Sequence, residues 1–149
     1  MPRIRGGHYM NTRHNALLFL IFILLTIISA CADRNFDNTQ YEKATVIKTF
    51  KLGNDKESLH IKTSEGINAI MTLVSSGSVL IKFQDEKNER MVCNTNWIFT
   101  AEIRQLREKD LLFVKIAGSR LTSLNEWENE VKIFKYDLST RKLIGWVKI

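Results

Sequence analysis

After residue 43, apolar and polar residues alternate in short runs and do not recur every three or four positions. A period of two is typical of a β-strand with one face in the core and the other in water. Residues that favour turns separate the runs at nearly regular intervals, as in a sandwich or a barrel. The pattern predicts candidate strands at residues 44–52, 58–63, 67–74, 78–83, 90–93, 97–103, 111–117, 131–136 and 142–148.

The segments between these runs have the composition of tight turns. Gly53-Asn54-Asp55, Ser64-Glu65-Gly66 and Ser75-Ser76-Gly77 contain residues that tolerate a positive φ. Short connections of this kind join antiparallel neighbours. We therefore predict an all-β fold, a single small antiparallel β-sandwich or barrel of about eight strands, and the pattern does not distinguish the two architectures.

Residues 100–109 fit two interpretations. Ala101, Glu102 and Gln105 favour a helix. The alternation of Trp97, Phe99, Ala101 and Ile103 favours a strand. We predict a strand to about Ile103 followed by a turn, with a short helix as the alternative.

The first 30 residues have a different pattern. Three arginines precede an apolar run at residues 16–28, in which Thr26 is the one polar residue. This order is typical of an export signal. Extended through Ala32, the run would form a helix about 25 Å long, somewhat shorter than the hydrocarbon layer of a bilayer, which is about 30 Å thick. Residues 1–30 are thus predicted to be a signal peptide, with translation starting at Met1 or Met10.

The apolar run leads into Ile28-Ser29-Ala30-Cys31. This tetrapeptide resembles the lipobox of bacterial lipoproteins, which has an aliphatic residue, two small residues and the modified cysteine. The resemblance implies that the Cys31 thiol receives a diacylglyceryl group, that the preceding bond is cleaved, and that the new amino group can also be acylated, for example with palmitate. Two or three acyl chains anchor a protein durably, whereas one chain binds reversibly. The alternatives are a secretory signal in which Cys31 is incidental and an uncleaved anchor.

The residues after the cysteine bear on location and organisation. Ala32 stands where the inner-membrane retention signal of many lipoproteins has Asp, although Asp33 follows. The resemblance thus favours a lipid-anchored protein of the cell outer membrane that faces the periplasm. Residues 31–42 are polar and lack periodicity, so we predict a flexible tether there and the β domain at residues 43–149.

The net charge of +6 changes this picture little. The three arginines of the signal segment belong to the 22 Lys and Arg residues, and the remaining 19 are interspersed with 16 Asp and Glu residues. A nucleic-acid-binding domain usually carries a concentrated basic patch. No nucleic-acid partner is predicted.

Candidate chemistry in the β domain is sparse. His60 is the one histidine after residue 30, and we predict that it lies on the surface. Cys93 stands in an apolar context and is predicted to be buried. Because no CxxC or HExxH pattern occurs, neither a metal site nor a cofactor is predicted.

Carboxylates form two groups, Asp85, Glu86 and Glu89, and Glu126, Glu128 and Glu130. Paired carboxylates can catalyse glycoside hydrolysis. Both groups lie in strongly charged stretches, which is typical of solvated loops or faces, so no catalytic residue is predicted.

Trp127 lies in a polar stretch at residues 124–130, which we interpret as a loop. Exposed tryptophans are enriched at binding hot spots, so Trp127 is a candidate partner contact. The alternative is that it folds back to plug a barrel end. Trp97 and Trp146 are predicted to belong to the core.

These patterns favour a membrane-anchored lipoprotein with a non-enzymatic binding role in the cell envelope, as an inhibitor, an immunity factor or an assembly accessory. Its expected partners are membrane lipid, through Cys31, and an envelope or periplasmic protein. The alternatives are an enzyme with dispersed active-site residues and a structural lipoprotein that fastens a larger envelope complex.

The lipobox generates a direct test. Mass spectrometry of the mature protein should find Cys31 as the first residue, carrying a thioether-linked diacylglyceryl group. Cys31→Ala should abolish the lipid mass and release the chain from the membrane fraction, because the acyl chains supply the anchoring energy. Unchanged fractionation and mobility of the variant would contradict the lipoprotein interpretation.

Overall fold

The computed structural model describes residues 36–53 and 55–149, so Cys31 lies outside the described residues. One helix in the described part is α1 (Asn38–Lys43), and a 3-10 turn spans Arg107–Lys109. The strands are β1 (Thr45–Lys51), β2 (Lys56–Lys62), β3 (Asn68–Val74), β4 (Ser78–Phe83), β5 (Arg90–Asn94), β6 (Trp97–Leu106), β7 (Leu111–Leu121), β8 (Trp127–Asp137) and β9 (Lys142–Lys148). Within this part of the chain, no helix has the length and apolarity needed to cross a bilayer.

The strands form two antiparallel sheets packed as a sandwich. The chain forms β1 in one sheet, crosses to the other for β2 to β5, and returns for β6 to β9. The five-stranded sheet has the order β1-β6-β7-β8-β9, and the four-stranded sheet has the order β2-β3-β4-β5. The predicted all-β antiparallel fold is confirmed as a sandwich, with nine strands where about eight were expected.

The core lies between the two sheets. Met71 and Ile81 of the four-stranded sheet and Ile103, Val114 and Tyr136 of the five-stranded sheet are fully buried there. Burial of such side chains provides most of the free energy that holds two sheets face to face. The alternation in the sequence therefore supplies the two apolar sheet faces, and the structure shows that they pack as a sandwich.

Helix α1 covers part of the outer face of the five-stranded sheet. The rings of Tyr41 and Phe36 meet the Phe113 ring edge-on, with centroids 5.7 Å and 6.1 Å away. The Tyr41 hydroxyl donates a hydrogen bond of 2.8 Å to Glu102, and the Arg104 guanidinium lies 4.2 Å from the Tyr41 ring centroid. These contacts explain why β7 is apolar on both of its faces.

The flexible tether predicted for residues 31–42 needs correction in its described part, because residues 38–42 belong to α1. Asp37 caps the helix by accepting a hydrogen bond of 3.0 Å from the Thr39 amide. The segment looks polar because Phe36 and Tyr41 are its only described apolar side chains that pack against the sheet, while Gln40 accepts a hydrogen bond from Lys135. Two aromatic side chains are too few to produce a visible helical period.

The long strands extend beyond their predicted ends. β6 continues three residues past Ile103 to Leu106, and the helix considered for this segment is reduced to the 3-10 turn that follows. β7 continues to Leu121, and β8 already begins at Trp127. The two strands therefore form a longer hairpin than the alternation indicated.

A β-bulge in β6 breaks the alternation near its start. Ile98 pairs with Gly118 and Thr100 pairs with Ala117, so Phe99 is an extra residue on β6. Ile98 points into the core, and Phe99 joins Trp97 on the outer face. A Cβ atom at Gly118 would lie 1.7 Å from the Trp97 carbonyl oxygen, so the close approach of the two backbones requires glycine there.

This close approach predicts a large difference between two strand glycines. Gly118→Ala should lower the free energy of unfolding by about 3 kcal/mol, because β6 must move away to admit the methyl group. Gly145→Ala in β9 is the control, since a Cβ there meets no atom within 4 Å, and it should change stability by less than about 0.5 kcal/mol. Urea unfolding measures both, and equal midpoints would contradict the assigned role of Gly118.

Candidate functional site

Large apolar side chains are exposed together at the end of the five-stranded sheet that α1 leaves uncovered. We call this set the aromatic surface: Trp97, Phe99, Leu121 and Trp127. Trp127 is 68% exposed, and Leu124, at the tip of the β7–β8 hairpin, is 78% exposed. Scattered exposed apolar residues are ordinary, but a cluster of this kind is typical of interaction sites.

Strand register brings the aromatic surface together. Trp97 pairs with Ser119, Ser119 pairs with Asn129, and Leu121 pairs with Trp127. Residues directly opposite each other in an antiparallel sheet point to the same face. Three strands thus contribute to one shallow groove of about 390 Å³, lined by Trp97, Phe99, Ser119, Trp127 and Asn129.

The groove lining has no charged side chain. Ser119 and Asn129 supply a hydroxyl and an amide between the aromatic rings. Uncharged, mostly apolar linings with a few polar groups are typical of specific binding sites. A ligand recognised mainly through phosphate or carboxylate groups would find no counter-charge in this groove.

Trp127 was predicted to lie in a loop, and the structure places it at the first position of β8 instead. The residues around Trp127 are polar, so the alternation did not indicate a strand there. The first three residues of β8 are exposed because they extend beyond the core. Trp127 is exposed and does not plug an end of the fold, so that alternative is wrong.

The predictions for the other two tryptophans had different outcomes. Trp97 was predicted to be in the core, but it is 36% exposed and lines the groove. Trp146 packs against the core, with its ring centroid 6.3 Å from that of Phe134, as predicted. The sequence signal that could have revealed Trp97 and Phe99 is Gly118, because an isolated glycine inside a strand often marks a bulge or a close approach.

His60 and Cys93 lie where the sequence indicated. His60 is exposed on β2. Cys93 is buried between the sheets, and burial raises the pKa of its thiol to about 12. Its sulfur is therefore protonated at neutral pH and behaves as a small apolar group.

Two members of the first carboxylate group, Asp85 and Glu86, form ion pairs with arginines. The guanidinium of Arg141 lies 2.6 Å from Asp85 and 2.7 Å from Glu86, and Arg90 lies 2.7 Å from Glu86. Hydrogen bonds from Arg90 and then Arg141 lower the pKa of Glu86 to about 2. A carboxyl group with a lowered pKa stays ionised and is a poor general acid near neutral pH.

The second carboxylate group is only partly solvated, which corrects the prediction for Glu130. Glu128 is exposed, and a hydrogen bond from Arg120 lowers its pKa. Glu130 is buried on the core side of β8, opposite Gly118, and the Lys132 Nζ lies 2.9 Å from its Oε1. The ion pair compensates for part of the desolvation of this carboxylate.

Comparison with known proteins found no matching family model, no matching curated protein and no matching solved structure. The function is therefore inferred from the residues themselves. Among the described residues, no group of three or more His, Cys, Asp or Glu side chains is placed to hold a metal ion.

The buried thiol can be tested chemically. In a Cys31→Ala variant, Cys93 is the one remaining cysteine. A pKa near 12 leaves about one thiol in ten thousand ionised at pH 8, and the thiolate is the reactive form. Ellman's reagent should thus leave the folded protein unmodified over an hour and react fully in guanidinium chloride. Rapid reaction of the folded protein would contradict the burial of Cys93.

Proposed function

We propose that the chain is a membrane-anchored bacterial lipoprotein that binds a protein of the cell envelope and catalyses no reaction. The observation that carries this proposal is the aromatic surface on the five-stranded sheet. The large apolar side chains of this surface are exposed to water, which lowers solubility unless a partner covers them. Inhibition, immunity and assistance in assembly are the roles this binding would serve.

The aromatic surface is held in place before any partner arrives. Trp97 lies on β6 and Trp127 on β8, both of which pair with β7, and the bulge beside Gly118 sets the direction of Phe99. Binding to preorganised side chains loses less conformational entropy than binding to a mobile loop. Tryptophan is also the residue type most enriched at the energetic centre of protein interfaces.

The proposed anchor has a short reach. If Cys31 carries lipid, the chain from Cys31 to Phe36 spans at most about 18 Å. Phe36 and Tyr41 pack on the part of the sheet near Arg104, and about 20 Å of strand separate that region from Trp97. The first described residues thus lie at one end of the sheet, and the aromatic surface lies at the other.

The proposal predicts that a partner is lost with the tryptophans. A photo-reactive amino acid at Leu124 should capture an envelope protein in living cells. The double variant Trp97→Ala and Trp127→Ala should reduce the captured protein at least tenfold, because hot-spot residues each contribute about 2 kcal/mol or more. Affinity should then be measured with the purified partner.

The matched control is Met91→Ala, which removes a side chain 51% exposed on the other sheet and should leave capture unchanged. Fluorescence of a variant with Trp97→Phe and Trp146→Phe, in which Trp127 is the one remaining tryptophan, provides a second check, since Trp127 must be accessible to acrylamide. Unchanged capture by the double variant, or a fully protected Trp127, would contradict the proposed binding surface.

A further inference from the structure

The sandwich has four edge strands, and three of them carry a bulge. The extra residue is Ile47 in β1, Val92 in β5 and Ile144 in β9. Bulges twist an edge strand and discourage another chain from pairing with it. β2 differs, because its seven residues pair with β3 without interruption, from Lys56 with Val74 to Lys62 with Asn68.

The backbone groups of β2 alternate between β3 and the open edge. The Thr63 amide donates a hydrogen bond of 2.9 Å to the Ile67 carbonyl, which fixes the phase of the ladder. Antiparallel geometry then directs the N–H and C=O groups of Lys56, Ser58 and His60 away from β3. The Lys62 carbonyl, which also points outward, accepts a hydrogen bond of 2.8 Å from the Gln105 side chain, so this end of the edge is closed.

The solvent face of β2 is basic. Lys56, Ser58, His60 and Lys62 occupy alternate positions on this face, while Leu59 and Ile61 pack against the core. Lys82 of β4 extends the basic row, since His60 pairs with Ile70 and Ile70 pairs with Lys82. Within the described part of the chain, none of these three lysines forms an ion pair.

A second copy of the chain would bring a second basic strand face to this edge. Two β2 strands paired symmetrically about Leu59 would place Lys56 of one copy opposite Lys62 of the other. Like charges directly opposite each other destabilise a pair of strands. An incoming strand with carboxylates at alternate positions would instead meet opposite charges.

We propose that β2 binds an extended acidic segment of a partner protein as a fifth strand of the four-stranded sheet. The segment pairs with the outward backbone groups of Lys56, Ser58 and His60, and its acidic side chains face Lys56, His60 and Lys62. Addition of a strand to an open edge is a general mode of peptide recognition. This site lies on a different sheet from the aromatic surface, and it goes beyond the function proposed above.

The test uses the full chain in neutral detergent and a fluorescein-labelled nine-residue peptide in which Glu alternates with Val. Fluorescence polarisation should show saturable binding that weakens as salt is added, because salt screens exposed charges. The same peptide with Lys in place of every Glu should not bind. Failure of the Glu peptide to bind would overturn the proposal.

Two variants locate the binding on β2. Ser58→Pro removes an outward amide that β3 does not use, and it should weaken binding at least tenfold. Lys56→Glu with Lys62→Glu should abolish binding. The control pair Lys48→Glu and Lys51→Glu makes the same change of charge on the edge strand β1 and should bind within twofold of wild type.

Circular dichroism checks the fold of each variant. If Ser58→Pro unfolds, the double variant Lys56→Glu with Lys62→Glu decides the test. Binding that survives charge reversal on β2, or falls equally in the β1 control, would overturn the assignment. So would concentration-dependent dimerisation of the wild-type chain that Ser58→Pro abolishes, because the edge would then belong to a second copy.

Discussion

Burial of apolar side chains between two sheets is the interaction on which the other features depend. Cys93 is free, so no disulfide joins the sheets among the described residues. Side chains such as Met71, Val114 and Tyr136 hold them together. A sandwich closed in this way, unlike a closed barrel, has strand edges, and this explains why bulges are placed on most of them. The sandwich leaves two outer sheet faces and four strand edges outside the core. The aromatic surface lies on one of these faces, and β2 forms one of these edges.

The sequence predicted the strands well because burial between sheets imposes a period of two on nearly every one. It failed where one residue broke that period. Phe99 shifts the faces of β6, so alternation placed Trp97 in the core although it lines the groove. It also failed where packing rests on few residues, since α1 docks through little more than Phe36 and Tyr41.

The candidate site was only partly predictable for the same reason. The polar neighbours of Trp127 revealed its exposure, because exposure is a local property of the sequence. Trp97 becomes a neighbour of Trp127 only through the register of β6, β7 and β8, because the two residues lie 30 positions apart in the sequence. Gly118 marks an irregular position in β7, but a single-sequence pattern does not identify the strand that approaches it, so Trp97 and Phe99 were located by the fold.

The docking of α1 has a consequence for how this protein can diversify. The chain enters the folded body at Phe36, and the ring of Phe113 receives it. Under the proposed lipid anchor, insertions or deletions upstream of that contact would change the distance between the sandwich and the membrane, while every strand stayed in register. The length of chain before Phe36 and the stability of the fold are thus separate traits, and selection can change the first without changing the second.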